Sequence, residues 1–136
     1  MTLRFCLFAF WLPLAAPVHG SEIAAHLVVQ NSPLAAFRYN DGKLLWGDLR
    51  AGDALRLVRE PDNPYDANAV RVEWRGHKLG YVPRHENSDL ARQLDGGAAI
   101  EARITELVKR RNGRHLISYD ILVPLRTTHD AQGGGK

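Results

Sequence analysis

A proline-rich turn near the middle of this chain separates two strand-like segments and limits the folds open to it. Residues 57–72 read Leu-Val-Arg-Glu-Pro-Asp-Asn-Pro-Tyr-Asp-Ala-Asn-Ala-Val-Arg-Val. Pro61 and Pro64 fix the backbone φ angle and lack an amide hydrogen, so this turn cannot become helical. Tyr65 and Asp66 follow side by side. A stiff loop that presents a stacking surface and a hydrogen-bond acceptor is typical of a recognition site.

Short strand-like segments surround this turn. Apolar runs and alternating patterns bounded by turn residues predict six strands, at 26–30, 55–58, 69–74, 78–82, 100–108 and 116–125. The tripeptide Asn40-Asp41-Gly42 has the composition of a hairpin turn, and residues 44–46 are expected to be buried. Closely spaced short strands predict a compact, mostly antiparallel β-barrel.

One short helix is predicted after the fourth strand. Asn87 or Ser88 can cap its first turn, and the glycine pair at 96–97 ends it. The apolar residues of its buried face are Leu90, Ala91 and Leu94.

The first twenty residues have the features of a secretory signal peptide. Arg4 supplies a positive charge, residues 5–16 are apolar, and small or permissive residues precede a cut ahead of Ser21. Pro13 breaks the apolar run, so no membrane span is expected in the mature chain. We therefore expect an exported protein, periplasmic or secreted. Two alternatives stay open: a buried N-terminal strand or helix, and translation that starts after Met1, which would make the protein cytoplasmic.

The residue types that most enzyme mechanisms need are missing or unpaired in the sequence. Cys6, the only cysteine, lies inside the signal segment, so the mature chain has neither a disulfide nor a thiolate zinc site. No histidine pair has metal-ligand spacing, and no P-loop or nucleophile elbow occurs. We predict a non-enzymatic protein without metal or cofactor.

The proline-rich turn and the later segment Leu79-Gly-Tyr-Val-Pro-Arg84 together resemble the HIRAN domain, from about residue 30 to about residue 123. This module occurs at the N-termini of SWI2/SNF2-type DNA helicases of post-replication repair and as small stand-alone bacterial proteins. The resemblance implies a small OB-like antiparallel β-barrel with one short α-helix. The chain then divides into a signal peptide (1–20), a HIRAN-like domain (21–125) and a disordered tail (126–136).

The resemblance also implies a pocket for the 3′ end of single-stranded DNA. Tyr39 and Tyr65 would enclose the terminal base, Asp66 would accept a hydrogen bond from the 3′-hydroxyl, and Arg38 would contact phosphate. Stacking on an aromatic ring contributes about 1–3 kcal/mol per base. From the residues alone, another interpretation is open: the two tyrosines are barrel aromatics, and Asp66 closes a local turn toward Asn68.

Further basic and polar residues are candidate phosphate contacts. Three of them follow from the resemblance or lie close to its motifs: Arg71, Tyr81 and Arg84. The repair helicases have a different polar residue where this chain has Tyr81. The densest basic cluster lies at a predicted hairpin tip and contains Lys109, Arg110 and Arg111, with Arg114 close by. The alternative for both groups is a solvated basic surface and a packed tyrosine.

Two functions are therefore open at the level of sequence. In the first, the domain binds single-stranded DNA ends. In the second, an exported envelope protein uses the same pocket for a protein or small-ligand partner. The net charge of +3 permits nucleic-acid binding and does not require it.

Overall fold

The computed structural model describes residues 25–125 of the chain. The predicted signal peptide (1–20) and the predicted disordered tail (126–136) both lie outside the described residues.

Six strands, two helices and one 3-10 turn make up the described part of the chain. The strands are β1 (His26–Pro33), β2 (Ala54–Arg59), β3 (Val70–Trp74), β4 (His77–Tyr81), β5 (Glu101–Lys109) and β6 (His115–Pro124). The 3-10 turn is Phe37–Tyr39, and the helices are α1 (Gly42–Leu45) and α2 (Ser88–Asp95). Each of the six predicted strands is confirmed, with shifts at its ends.

The strands form one antiparallel sheet in the order β1-β6-β5-β2-β3-β4. This sheet is not closed into a barrel, so that part of the fold prediction is not confirmed. Its two end strands are joined only by a single bridge between Ala35, just after β1, and Tyr81 of β4. Pro33 lacks an amide hydrogen and Ala36 is left-handed at φ 60°. Only a short extended segment between Pro33 and Ala36 is therefore left to pair with β4.

The core lies on the inner face of the curved sheet. In β3, Val70, Val72 and Trp74 are buried while the residues between them are partly exposed, as alternation predicts. Helix α2 covers this core with Leu90 and Ala91. Ile104, Ile117, Tyr119 and Ile121 supply the part of the core that comes from β5 and β6.

Of two local predictions before β2, one is wrong and the other is confirmed only in part. Asn40-Asp41-Gly42 does not form a hairpin but leads into α1, which adds a second helix to the one that was predicted. A Cβ atom at Gly42 would overlap the ring of Phe37, so the glycine is needed for that packing. Of residues 44–46, which were expected to be buried, Leu45 and Trp46 are partly buried against the core, but Leu44 is 87% exposed.

Gly80 is the residue that allows the ends of the sheet to meet. A Cβ atom at this position would collide with the carbonyl oxygen of Ala35, which is backbone and cannot turn away. The same Ala35 oxygen accepts a hydrogen bond from the Tyr81 amide at 3.0 Å. Close approach of two backbones is one of the reasons for glycine inside a strand.

We predict that Gly80→Ala lowers the free energy of unfolding by about 1–3 kcal/mol, as overpacking in a tight site does. Urea denaturation measures the change. Gly47→Ala is the matched control, because nothing lies within 4 Å of a Cβ atom there. If the two variants are equally stable, the contact with Ala35 does not constrain the fold.

Candidate nucleic-acid interface

A cavity of about 630 Å³ opens where the proline-rich turn meets β4 and the 3-10 turn. We call it the tyrosine pocket. Five of the predicted site residues line it: Tyr39, Tyr65, Asp66, Tyr81 and Arg84. It is also lined by Asn63 and Lys78, which are not among the predicted site residues.

The side chains of two tyrosines at this pocket are largely exposed to solvent. Tyr39 is 71% exposed and Tyr65 is 83% exposed, so the interpretation of these residues as packed barrel aromatics is wrong. The guanidinium of Arg38 lies over the Tyr39 ring, 4.4 Å from its centroid. Exposed rings offer flat apolar surfaces on which a planar group stacks.

Asp66 closes a local turn and also faces the tyrosine pocket. Its Oδ1 accepts a hydrogen bond from the Asn68 amide at 2.9 Å, which confirms the turn interpretation. Its Oδ2 accepts a second bond from Nδ2 of Asn87 at 2.7 Å. A carboxylate has about four acceptor positions. The turn role therefore leaves acceptor capacity for a ligand, and the two interpretations are compatible.

The surroundings of Asp66 favour its ionised form. Burial alone would raise the pKa of this carboxyl group, but hydrogen bonds from Asn87 and Asn68 and the positive charges of Arg84 and Arg59 lower the pKa overall. Asp66 is thus a carboxylate at neutral pH. Nε of Arg84 lies 3.7 Å from its Oδ2, and the Arg84 side chain is largely exposed.

Asn87 has a different role from the predicted one. It occupies the residue before α2, but its side chain makes no capping hydrogen bond. The side chain is instead buried, with only 1% of the residue exposed, and donates to Asp66. The turn chemistry of an asparagine before a helix gives no signal for this contact, since the partner lies 21 residues earlier.

Hydrogen bonds from Arg59 hold the proline-rich turn in shape. Its guanidinium donates to the carbonyl oxygens of Ala67 and Ala69, at 3.1 and 2.8 Å. It also pairs with Asp95 at the end of α2. Within the turn, the Tyr65 amide donates to Oδ1 of Asn63 at 3.0 Å. The backbone that carries Tyr65 and Asp66 is therefore fixed before any ligand arrives.

Arg71 does not line the tyrosine pocket, although it was a candidate phosphate contact. Nη1 of Arg71 lies 2.7 Å from Oε1 of Glu60, and its Nε lies 2.8 Å from Oε1 of Glu73. The Tyr81 hydroxyl donates to the other oxygen of Glu60 at 2.9 Å. These contacts commit Arg71 to an internal ion-pair network next to the pocket.

Lys78 reaches this network because of an irregularity in β4. The register between β3 and β4 shifts between Val72 and Glu73, and Leu79 is the extra residue. In a regular strand, residues 78 and 81 would face opposite sides. Here Nζ of Lys78 lies 2.6 Å from the Tyr81 hydroxyl, to which it donates. The bulge has no clear signature in the sequence, so the alternation of β4 could not have predicted that Lys78 lies at the tyrosine pocket.

The remaining basic candidates lie apart from the tyrosine pocket. Lys109, Arg110 and Arg111 line a shallow depression of their own at the tip between β5 and β6. In residues 25–125, no cluster of three or more acidic, histidine or cysteine side chains is arranged to hold a metal ion. No helix in that range is long and apolar enough to cross a bilayer.

We predict that Asn87→Ala lowers the free energy of unfolding at pH 7 by about 1–3 kcal/mol, because a partly buried carboxylate loses its donor. The pKa of Asp66 in the folded state is below its usual value of 3.8. Its stabilising contribution is therefore present above that value and is lost as the pH falls through the folded pKa. In urea denaturation, the difference between variant and wild type should stay constant from pH 7 down to about that value and shrink as the pH falls below it.

The control for this prediction is the same substitution made in an Asp66→Ala background. There the carboxylate is already gone, so Asn87→Ala should cost clearly less. An equal cost in both backgrounds would show that Asn87 stabilises the domain independently of Asp66.

Comparison with known proteins identifies the family and the fold of the chain. The family model of the HIRAN domain matches residues 27–120. The structure is similar to that of a protein from Lactobacillus plantarum, with 30% sequence identity and a TM-score of 0.60 over 71% of this chain and 96% of that one.

The fold is also similar to that of the HIRAN domain of human HLTF. The TM-score is 0.57 at 23% identity, over 68% of this chain and 72% of that one. A search of curated proteins found no match. Since the family model covers well over half of the sequence, the chain belongs to the HIRAN domain family.

Proposed function

We propose that the tyrosine pocket binds the 3′-hydroxyl end of single-stranded DNA and catalyses no reaction. Membership of the HIRAN family supports nucleic-acid binding in general. The observation that carries the finer proposal is that two exposed tyrosines and an ionised aspartate line one cavity. That combination suits a ligand with a flat apolar face and a hydroxyl group.

In the proposed complex, the terminal base stacks against Tyr39 and Tyr65. Arg38 lies over the Tyr39 ring, where its charge is close to the phosphate that links the last two nucleotides. Asp66 accepts the hydrogen bond of the 3′-hydroxyl. Two negative unit charges 4 Å apart repel each other by roughly 1 kcal/mol in bulk water and by roughly 4 kcal/mol near a protein surface. A 3′-phosphate would therefore be disfavoured.

Two cations at the rim have supporting roles in this proposal. Arg84 is largely exposed and lines the pocket, so it can reach a backbone phosphate without breaking a short ion pair. Lys78 lines the same cavity and holds the Tyr81 hydroxyl in position. Arg71 is left out, because Glu60 and Glu73 already neutralise it. No observation on residues 25–125 favours an envelope protein or a small-ligand partner in this pocket.

We predict that Tyr65→Ala weakens binding of a short oligonucleotide by about 5- to 150-fold, the equivalent of losing about 1–3 kcal/mol of stacking. Fluorescence anisotropy with labelled single-stranded DNA measures the affinity. The ring is largely exposed, so the domain should stay folded. Leu44→Ala is the matched control, because it removes an exposed apolar side chain that lines none of the three described cavities.

The same assay tests the choice of DNA end. Wild-type protein should prefer a 3′-hydroxyl to a 3′-phosphate, and Asp66→Asn should narrow that preference about tenfold or more. Asparagine keeps the size of the side chain and an oxygen for the Asn68 amide, and it removes the charge that repels phosphate. Equal affinity for the 3′-hydroxyl and 3′-phosphate oligonucleotides would contradict the proposal. So would an affinity that Tyr65→Ala leaves unchanged.

We further propose that the domain works outside the cytoplasm, on extracellular or incoming DNA. The support is the signal-peptide pattern of residues 1–20. Mass spectrometry of the protein from its natural host should find Ser21 as the first residue, in the periplasmic or secreted fraction. An uncleaved N-terminus in the cytosolic fraction, or a chain that starts elsewhere, would overturn the export proposal and leave the pocket proposal intact.

A further inference from the structure

A second cavity of about 520 Å³ lies beside the tyrosine pocket, between the 3-10 turn with α1 on one side and the β5–β6 hairpin on the other. We call it the basic cleft. Its cationic side chains are Arg38, Lys43 and Arg114, and its other titratable side chains are Tyr39 and His115. No aspartate or glutamate lines it. We propose that this cleft binds the backbone phosphates of the nucleotides that precede the one in the tyrosine pocket. This inference rests on the proposed function.

The cations of the basic cleft have no acidic partners. Among residues 25–125, no carboxylate lies within 4.0 Å of the charged groups of Arg38, Lys43 or Arg114. Arg59 and Arg71 differ in this respect, since both form short ion pairs. Positive charges that share a concave surface without counter-charges raise the local potential and attract a polyanion.

The basic cleft and the tyrosine pocket are adjoining parts of one surface. Ala36 and Tyr39 line both cavities. Arg38, stacked on the Tyr39 ring, lines only the cleft. A strand whose last base lies on Tyr39 therefore has its next phosphates at the entrance to the cleft. This continuity favours a nucleic-acid backbone over free inorganic phosphate as the ligand.

Aromatic packing fixes the two walls of the cleft relative to each other. The rings of Trp46 and His115 lie 4.2 Å apart between centroids, and Phe37 packs edge-on against Trp46 at 5.9 Å. These contacts join the segment around α1 to the start of β6. The walls are therefore held in place without a ligand, which lowers the ordering cost of binding.

Hydrogen bonds hold the hairpin tip that carries Arg114. The Arg110 amide donates to the Arg114 carbonyl oxygen at 2.8 Å, and the Arg114 amide donates to Oδ1 of Asn112 at 3.1 Å. Lys109, Arg110 and Arg111 line the separate depression at the same tip. Only Arg114 of the basic tip residues lines the cleft.

The test compares the binding of a dinucleotide with that of a hexanucleotide, both single-stranded and ending in 3′-hydroxyl. Fluorescence anisotropy measures both affinities at salt concentrations from about 50 to about 200 mM, a range over which phosphate contacts change the affinity strongly. The variant is Lys43→Gln combined with Arg114→Gln. We expect it to weaken hexanucleotide binding about tenfold and to leave dinucleotide binding unchanged. The slope of log affinity against log salt should fall in magnitude by about 0.7 per lost phosphate contact.

Arg56→Gln combined with Arg103→Gln is the matched control, since it removes the same charge from exposed strand positions outside the three described cavities. It should leave the hexanucleotide affinity and salt slope near those of the wild type. If both double variants have the same effect, net charge and not the cleft explains the binding, and the inference is overturned. A hexanucleotide that binds no tighter than the dinucleotide also overturns it.

The outcome separates this inference from the proposed function. Dinucleotide binding that needs Tyr65 while the cleft variant changes nothing overturns the cleft alone. Failure of the dinucleotide to bind at all overturns the proposed function.

Amide chemical shifts of the wild-type protein give a second readout that needs no variant. The hexanucleotide should shift residues 112–116 and the dinucleotide should not. Inorganic tripolyphosphate that competes as well as the hexanucleotide would overturn the assignment to a DNA strand.

Discussion

The backbone pair between Ala35 and Tyr81 determines how the parts of the candidate site come together. Tyr39 follows β1, whereas Tyr65 and Asp66 lie between β2 and β3, at the other end of the sheet. The two hydrogen bonds of this pair, at 2.9 and 3.0 Å, bring the end of β1 onto β4. Gly80 makes the approach possible because it has no side chain to meet the Ala35 oxygen. This backbone pair thus brings the segments that carry the two tyrosines together.

The proline-rich turn meets the other requirement of such a site, which is order before binding. Arg59 donates hydrogen bonds to two carbonyl oxygens of the turn, and the Tyr65 amide donates a hydrogen bond to the side chain of Asn63. The side chain of Tyr65 remains exposed on this fixed backbone. A ligand therefore restricts one ring rather than a whole loop, and less of its interaction energy is spent on ordering the protein.

Local patterns predicted the six strands and the position of α2, because alternation and turn residues report directly on burial. They did not predict contacts that depend on register or on distant partners. The bulge at Leu79 brought Lys78 beside Tyr81, and the internal network took up Arg71. Asn40-Asp41-Gly42 has hairpin residue types, yet packing of Phe37 against Gly42 leads into a helix. Asp66 fits both of its interpretations, so sequence alone could not choose between them.

The bond from Asn87 to Asp66 couples the start of α2 to the acceptor of the tyrosine pocket. Arg59 adds a second connection, from the turn to Asp95 at the other end of the same helix. Local opening of α2 would therefore release the turn at two points, so helix and pocket behave as one cooperative unit in the native ensemble. A ligand that selects the ordered pocket would slow amide hydrogen exchange throughout α2, although none of the helix residues line the cavity.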